Sequence, residues 1–168
     1  MDFIFKETGE EATLEVKENA DNMIIDSGTT KTVAGKNWMK TYLEFLSDEE
    51  KEKIKTEPEE RFFRFGNSAR YPSKEEVKIP LKLGKLETFL NISLVDASIP
   101  LLVGKADLKR LGFVVNFEEE TVFVTKTFET FALETTLKGH LALPIKEEES
   151  LNDEIFLMTE SDQEEKYQ

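Results

Sequence analysis

Residues 23–35 read MIIDSGTTKTVAG, an apolar, β-prone run that passes directly into Asp26-Ser27-Gly28-Thr29. One reading is a strand followed by an ordinary turn, with the Asp side chain capping nearby amides. A second is that Asp26 is held at the end of a buried strand because a carboxylate must face a cleft there. Gly28 then lets other backbone approach closely. The remainder of the chain has to support one reading over the other.

Composition narrows the choices. With 168 residues, 39% of them hydrophobic and 13 of them Phe, the chain suits one domain with a core of its own, or one domain with tails. It contains no Cys, which removes disulfides, thiol catalysis and Cys-ligated zinc. A single histidine, His140 in LKGHLALP, leaves no basis for a His metal site or a Ser-His-Asp relay, and no cofactor or metal is expected. The formal net charge of −13 argues against a nucleic-acid backbone or an anionic membrane as partner. The N-terminal MDFIFKETGEE has neither the basic start nor the apolar run of a secretion signal, and no stretch is apolar enough to span a bilayer. A reducing, cytoplasmic or other intracellular setting is the expectation.

Short strands are expected at Phe3–Phe5, Ala12–Val16 and Met23–Ile25. In KNWMKTYLEFL, residues Trp38, Tyr42, Phe45 and Leu46 fall at helical spacing, with Met39 and Leu43 alongside. Ser47 followed by Glu50 fits a capping box, so SDEEKEKIKTE reads as a second, solvated helix stopping near Pro58. From Arg61 the texture turns to strands: RFFRFG, EVKIPLKLG and KLETFLNISLVD as two successive hairpins, with GNSARYPSKE and Gly84-Lys85 as turns. IPLLVG reads as a strand buried on both faces, and ADLKRLG as a short helix closed by Gly112. FVVNF and TVFVTKTF form a further hairpin, and FALETTLKGHLALPI is extended. Residues 146–168 carry nine Asp or Glu against two Lys, a net of −7, and read as a mobile acidic tail in which EIFLM at 154–158 is the one apolar stretch.

An Asp at a strand end followed by small residues also occurs in actin-like and heat-shock-type ATPases, whose phosphate loop DSGTTKT resembles. That fold needs two related domains and further glycine-rich loops, which this chain lacks. The chain more closely resembles the retropepsin family, the single-domain aspartic proteases of retroviruses and retrotransposons and their cellular relatives. The resemblance spans roughly residues 10–125. MIIDSGTT is similar to the family's apolar-apolar-Asp-Ser/Thr-Gly loop, and IPLLVGKADLKRLG to its apolar-apolar-Gly strand and short helix. FGNSARYPSKEEVKIPLKLG lies where the flap hairpin belongs.

The resemblance implies a mainly β, retropepsin-like closed β-barrel, the acid-protease fold, with two or three short helices. Residues 1–145 would form the domain, with a helical insertion at about 36–60 and the flap at about 62–83, and residues 146–168 the tail. The implied activity is that of a homodimeric aspartic endopeptidase of retroelement origin acting on polypeptides. Two carboxylates close together cannot both ionise, so one holds a proton and the other does not. This chain has no second Asp-Ser/Thr-Gly; Val95-Asp96-Ala97-Ser98 lacks the glycine. The pair is therefore expected from Asp26 of two chains across a two-fold axis through the catalytic loop. Ser27, Gly28 and Thr29 would support that loop, with Ser27 bonding across the axis. Gly66, Asn67 and Ser68 would lie at the flap tip, within a tip running from Gly66 to Ser73, and Val103 and Gly104 behind the loop. The family's loop is braced by an acidic residue after the first motif and by Arg or Asn/Asp after the second glycine. A gapless match puts Thr30 and Lys31, and Lys105 and Ala106, at those places and so implies an unbraced loop. The rival from another class is a binding or dimerisation module that kept this fold without the chemistry.

Overall fold

The computed structural model describes residues 21–66 and 69–145. The strands expected at Phe3–Phe5 and Ala12–Val16, and the acidic segment 146–168, lie outside the described residues.

Two short parallel pairings set the frame. Strand β1 (Asn22–Ile25) runs parallel to β6 (Leu101–Val103), with Met23 beside Leu101 and Ile25 beside Val103. On the other side of β6 lies β2 (Val33–Gly35), antiparallel to it through Val33 and Leu102 and parallel to β5 (Leu86–Val95). The outer strands are β11 (Leu141–Pro144) with β10 (Glu134–Thr135) beside β1, and β4 (Arg70–Leu83) with β3 (Lys55–Arg64) beside β5. The order of this eight-stranded sheet is β10-β11-β1-β6-β2-β5-β4-β3. Strands β7 (Phe113–Asn116), β8 (Thr121–Val124) and β9 (Glu129–Ala132) form a separate antiparallel sheet. Three short helices complete the described residues: α1 (Lys36–Glu44), α2 (Asp48–Glu52) and α3 (Lys105–Leu111). The chain is mainly β, as its sequence implies.

IPLLVG is apolar throughout because β6 lies between two strands and is covered on both faces, all three of its residues being buried. Alternation along the strands sorts the core into two clusters. Met23, Leu101, Val103 and Leu143 join a large cluster that includes Trp38 and Tyr42 of α1 and the inward residues of β4 and β5. Ile24, Val33, Leu102 and Ala142 face the other way, where Phe63 of β3 closes over them with the partly buried Phe65 and Tyr71. The β3–β4 hairpin thus anchors its aromatic residues on the sheet that carries Asp26.

Four expectations are corrected. The helical insertion does not extend over 36–60: α2 ends at Glu52 and β3 begins at Lys55. The Ser47 capping box is present, its Oγ accepting from Glu50 N–H at 3.2 Å. Pairing of Lys55 with Lys78 and Thr56 with Val77 then draws the next residues into an edge strand, where Pro58 is tolerated. The flap hairpin is correspondingly longer than 62–83, and its turn shorter than GNSARYPSKE, since β4 already begins at Arg70. Pro72 fits because β4 meets β5 only from Ser73 onward, so at Pro72 the β5 side of the strand is open. Phe45 does not belong to the buried stripe of α1: it is the C-cap residue and is 53% exposed, whereas Trp38, Met39 and Tyr42 are buried. TVFVTKTF is divided between β8 and a turn leading to β9, with Phe128 at positive φ in that turn.

Gly112 closes α3 in the left-handed region with φ 71°, as the sequence suggests. Among the described residues no helix is long and apolar enough to cross a membrane.

Trp38 is fully buried and stacks on Tyr42 with ring centroids 5.0 Å apart, so it joins α1 to the large cluster. Trp38→Ala is expected to cost about 3–5 kcal/mol, read as a lowered urea midpoint with an unchanged denaturant slope.

Candidate active site

Asp26 follows the last residue of β1, and its N–H extends the ladder by donating to Val103 O at 3.1 Å. Its side chain is nearly enclosed, the residue being 6% exposed. Gly28 N–H donates to Asp26 Oδ1 at 3.0 Å, and Thr29 N–H to Asp26 O at 3.3 Å. The loop therefore turns around its own acid and fixes the carboxylate's orientation.

From Thr29 the chain has to reach β2, and β6 lies between β1 and β2. Residues 26–32 consequently cross the C-terminal end of β6, and the crossing falls on Gly104. A Cβ at Gly104 would sit 2.7 Å from Lys31 C and 2.8 Å from Thr30 O, too close for any side chain. The first amides of α3 hold the crossing in place: Lys105 N–H donates to Thr29 O at 2.8 Å and Ala106 N–H to Thr30 O at 3.1 Å.

The unbraced loop implied by a gapless match is also corrected, because the brace stands one residue further along on each side. Thr32, fully buried, accepts from Gly104 N–H at 3.1 Å and donates its own hydroxyl proton to Asp107 Oδ2. Asp107 Oδ1 accepts from Arg110 Nε at 3.1 Å, and Arg110 reaches Thr88 Oγ1 at 3.0 Å and the carbonyl of Phe89. Lys31 is engaged as well, donating to Asn91 O at 2.7 Å and lying 3.1 Å from Glu76. The sequence signal was a polar Thr at the entrance to an otherwise apolar strand, paired with an acid in the first turn of a helix.

Asp26, Gly28 and Thr29 form the floor of a cleft of about 490 Å³. Its opposite wall is the β3 side of the hairpin, from Arg61 to Gly66. Ser27 is exposed and stands outside the cleft lining. Gly66 lines the cleft, whereas Asn67 and Ser68 lie outside the described residues. Ser73 is not part of any tip: it is buried within β4 and donates to Glu59 Oε2 at 2.7 Å. Sequence reasoning passed over Arg61, Arg64 and the aromatic residues between them. The available signal was the two arginines of RFFRFG, three residues apart beside a turn.

Glu59 lies behind this wall. Burial pushes its carboxyl pKa up, but the hydrogen bond from Ser73, the nearby Ser93 hydroxyl and the charges of Lys31 and Arg61 outweigh burial and hold it below 4.5. Ser93 acts here through proximity, since its Oγ makes no hydrogen bond within the described residues. Among the described residues no group of three or more His, Cys, Asp or Glu is placed to hold a metal ion.

No family model matches the chain, and no curated protein matches it. Among solved structures it is similar to the retroviral protease-like domain of Ddi1 from Leishmania major, with 12% identity and a TM-score of 0.37 over 74% of this chain and 85% of that one. The functional reading rests on the geometry of this chain.

Two outcomes are expected. Asp107→Ala leaves the buried Thr32 hydroxyl without its acceptor and should cost about 1–3 kcal/mol in urea unfolding, more than Lys105→Ala. Glu59 is more acidic in the folded chain than its ordinary value of 4.5, so its stabilisation is complete above that pH and drains as pH falls through the lowered value. Glu59→Gln should therefore lower the urea midpoint at neutral pH and flatten its decline through the carboxylate range.

Proposed function

We propose that the chain is one half of an aspartic endopeptidase, completed when two copies bring their Asp26 loops together. The observation that carries this reading is Asp26 itself. A nearly enclosed carboxylate stands at the end of a buried strand and on the floor of a cleft, with an aromatic-anchored hairpin opposite. A turn-forming Asp needs no such cleft. A phosphate-binding loop is disfavoured, because the Gly28 and Thr29 amides that would cradle an anion turn inward onto Asp26.

In the paired state the two carboxylates share one proton, since like charges at short range cannot both ionise. The ionised member takes a proton from the water between them as its oxygen attacks the scissile carbonyl carbon, and the protonated member donates to the carbonyl oxygen. Proton transfer to the amide nitrogen then lets the C–N bond break, and the pair regains its single proton. Their titration belongs to the pair. Ser27 is exposed and would bond across the two-fold axis, and the hairpin over the cleft would exclude water from the bound peptide. The straps on Thr29 and Thr30 supply the rigidity that such a pair requires.

Purified protein is expected to cut an unfolded polypeptide at acidic to mildly acidic pH. Asp26→Asn should lower the rate by at least about a thousandfold while the circular dichroism spectrum is unchanged. Sedimentation at increasing concentration should show a dimer; a strict monomer, or an Asn variant that cuts at the normal rate, overturns the proposal.

A further inference from the structure

The cleft has a charge that the rest of the chain does not predict. The protein carries a formal charge of −13, yet among the described residues the cleft is lined by Lys31, Arg61 and Arg64 with Asp26 as its one carboxylate. In sequence, residues 61–71 (RFFRFGNSARY) contain three arginines and four aromatic residues and no acid.

These cations are not equivalent. Lys31 is satisfied by Glu76 and by the Asn91 carbonyl. Arg61 meets Glu59 through Nε alone, at 3.4 Å, with its side chain half exposed, which leaves its terminal nitrogens to solvent and cleft. Arg64 is exposed and makes no ion pair among the described residues. Arg70 is stacked over the Phe62 ring, 4.1 Å from its centroid. Two guanidinium groups from one strand therefore line the cleft, about 10 Å apart along β3 and on alternate faces of it, with Phe62 and Phe63 between them.

Accepting the endopeptidase reading above, we infer that Arg61 and Arg64 select substrates: the site takes an extended peptide whose apolar centre is flanked by acidic residues. An acid directly over Asp26 would be repelled by the carboxylate pair. Acids on either side can instead pair with guanidinium groups by charge-assisted hydrogen bonds, while Phe62 and Phe65 meet the apolar residues between. This chain's acidic C-terminal segment contains such a stretch, Asp153-Glu154-Ile155-Phe156-Leu157-Met158-Thr159-Glu160, four apolar residues with acids at both ends.

The test offers the full-length protein three synthetic peptides: SLNDEIFLMTESDQ, the same peptide with its acids changed to Asn and Gln, and an unrelated peptide with acids flanking a different apolar centre. The expected result is roughly tenfold higher kcat/KM for both acidic peptides than for the neutral one, shrinking as salt is raised. In Arg61→Gln/Arg64→Gln the ratio should fall to about one, and Arg61→Lys/Arg64→Lys should restore part of it. Preference for SLNDEIFLMTESDQ over the unrelated acidic peptide would assign the site to this chain's own segment; equal rates would assign it to acidic peptides in general. Equal cleavage of acidic and neutral peptides, or a preference that survives the Gln variant, overturns the inference. If no peptide is cut, the endopeptidase reading fails, and fluorescence anisotropy of labelled SLNDEIFLMTESDQ decides the selectivity separately. Binding that requires the arginines upholds it, and no binding, or displacement by a DNA oligonucleotide at lower concentration than by acidic peptide, overturns it.

Discussion

The site depends on a crossing. β1 and β2 are consecutive strands, yet β6 is inserted between them, so the segment joining them must pass over the end of β6. That topology lifts Asp26 out of the sheet plane while its N–H still bonds to Val103. It also demands a residue without a side chain where backbone meets backbone, and Gly104 is that residue. A loop lying over a glycine would otherwise be free to rise. The Lys105 and Ala106 amides tie it down on Thr29 and Thr30, and the Thr32 hydroxyl bonds with Gly104 and Asp107 beneath it. The position of one carboxylate thus follows from strand order, a close approach and four hydrogen bonds made beneath the loop rather than to the carboxylate itself.

Much of this was legible in the sequence because it is written in local chemistry. MIID and IPLLVG could be recognised as buried strands from uninterrupted apolar character, and Gly112 as a helix stop from its position after Leu108 and Leu111. What failed was decided by distant partners. KIKTEPEE has no strand pattern of its own and becomes β3 because β4 offers a partner over eight register positions. Phe45 has helical spacing but falls at the C-cap, where the helix has ended. The brace escaped notice because Thr32 and Asp107 are 75 residues apart and meet only once β6 has entered the sheet. The cleft's arginines were passed over for a related reason: in a chain with 35 acidic residues and 22 basic ones, local charge carries meaning only after the fold shows which side chains share a wall.

Charge is in fact segregated along the chain. The last 23 residues hold over half of the net negative charge, while the hairpin end opposite Asp26 is basic and aromatic. Hairpin tips are usually polar and small because they need only to turn. Here Phe63, Phe65 and Tyr71 fasten the hairpin to Ile24, Val33 and Leu102 of the sheet that carries Asp26. A hairpin fastened in this way holds its β3 edge against the cleft that contains Asp26, and Phe62 and Arg64 stay exposed on it.

A single carboxylate held this firmly has a limited chemical repertoire. It can act as a base when ionised or as an acid when protonated, but not as both at once. The proton inventory of amide hydrolysis requires both roles at once, which one Asp cannot fill. Under the proposed reading a two-fold axis would supply the second role, because an identical loop would arrive with the same straps and the same glycine beneath it. In such a pair symmetry would make the two acids equivalent, so that a bound peptide, which has no such symmetry, would determine which of them kept the proton. The hydrogen bonds that fix the crossing would then let the substrate make that choice, since a loose loop would relieve the repulsion by moving apart and the shared proton would be lost to solvent.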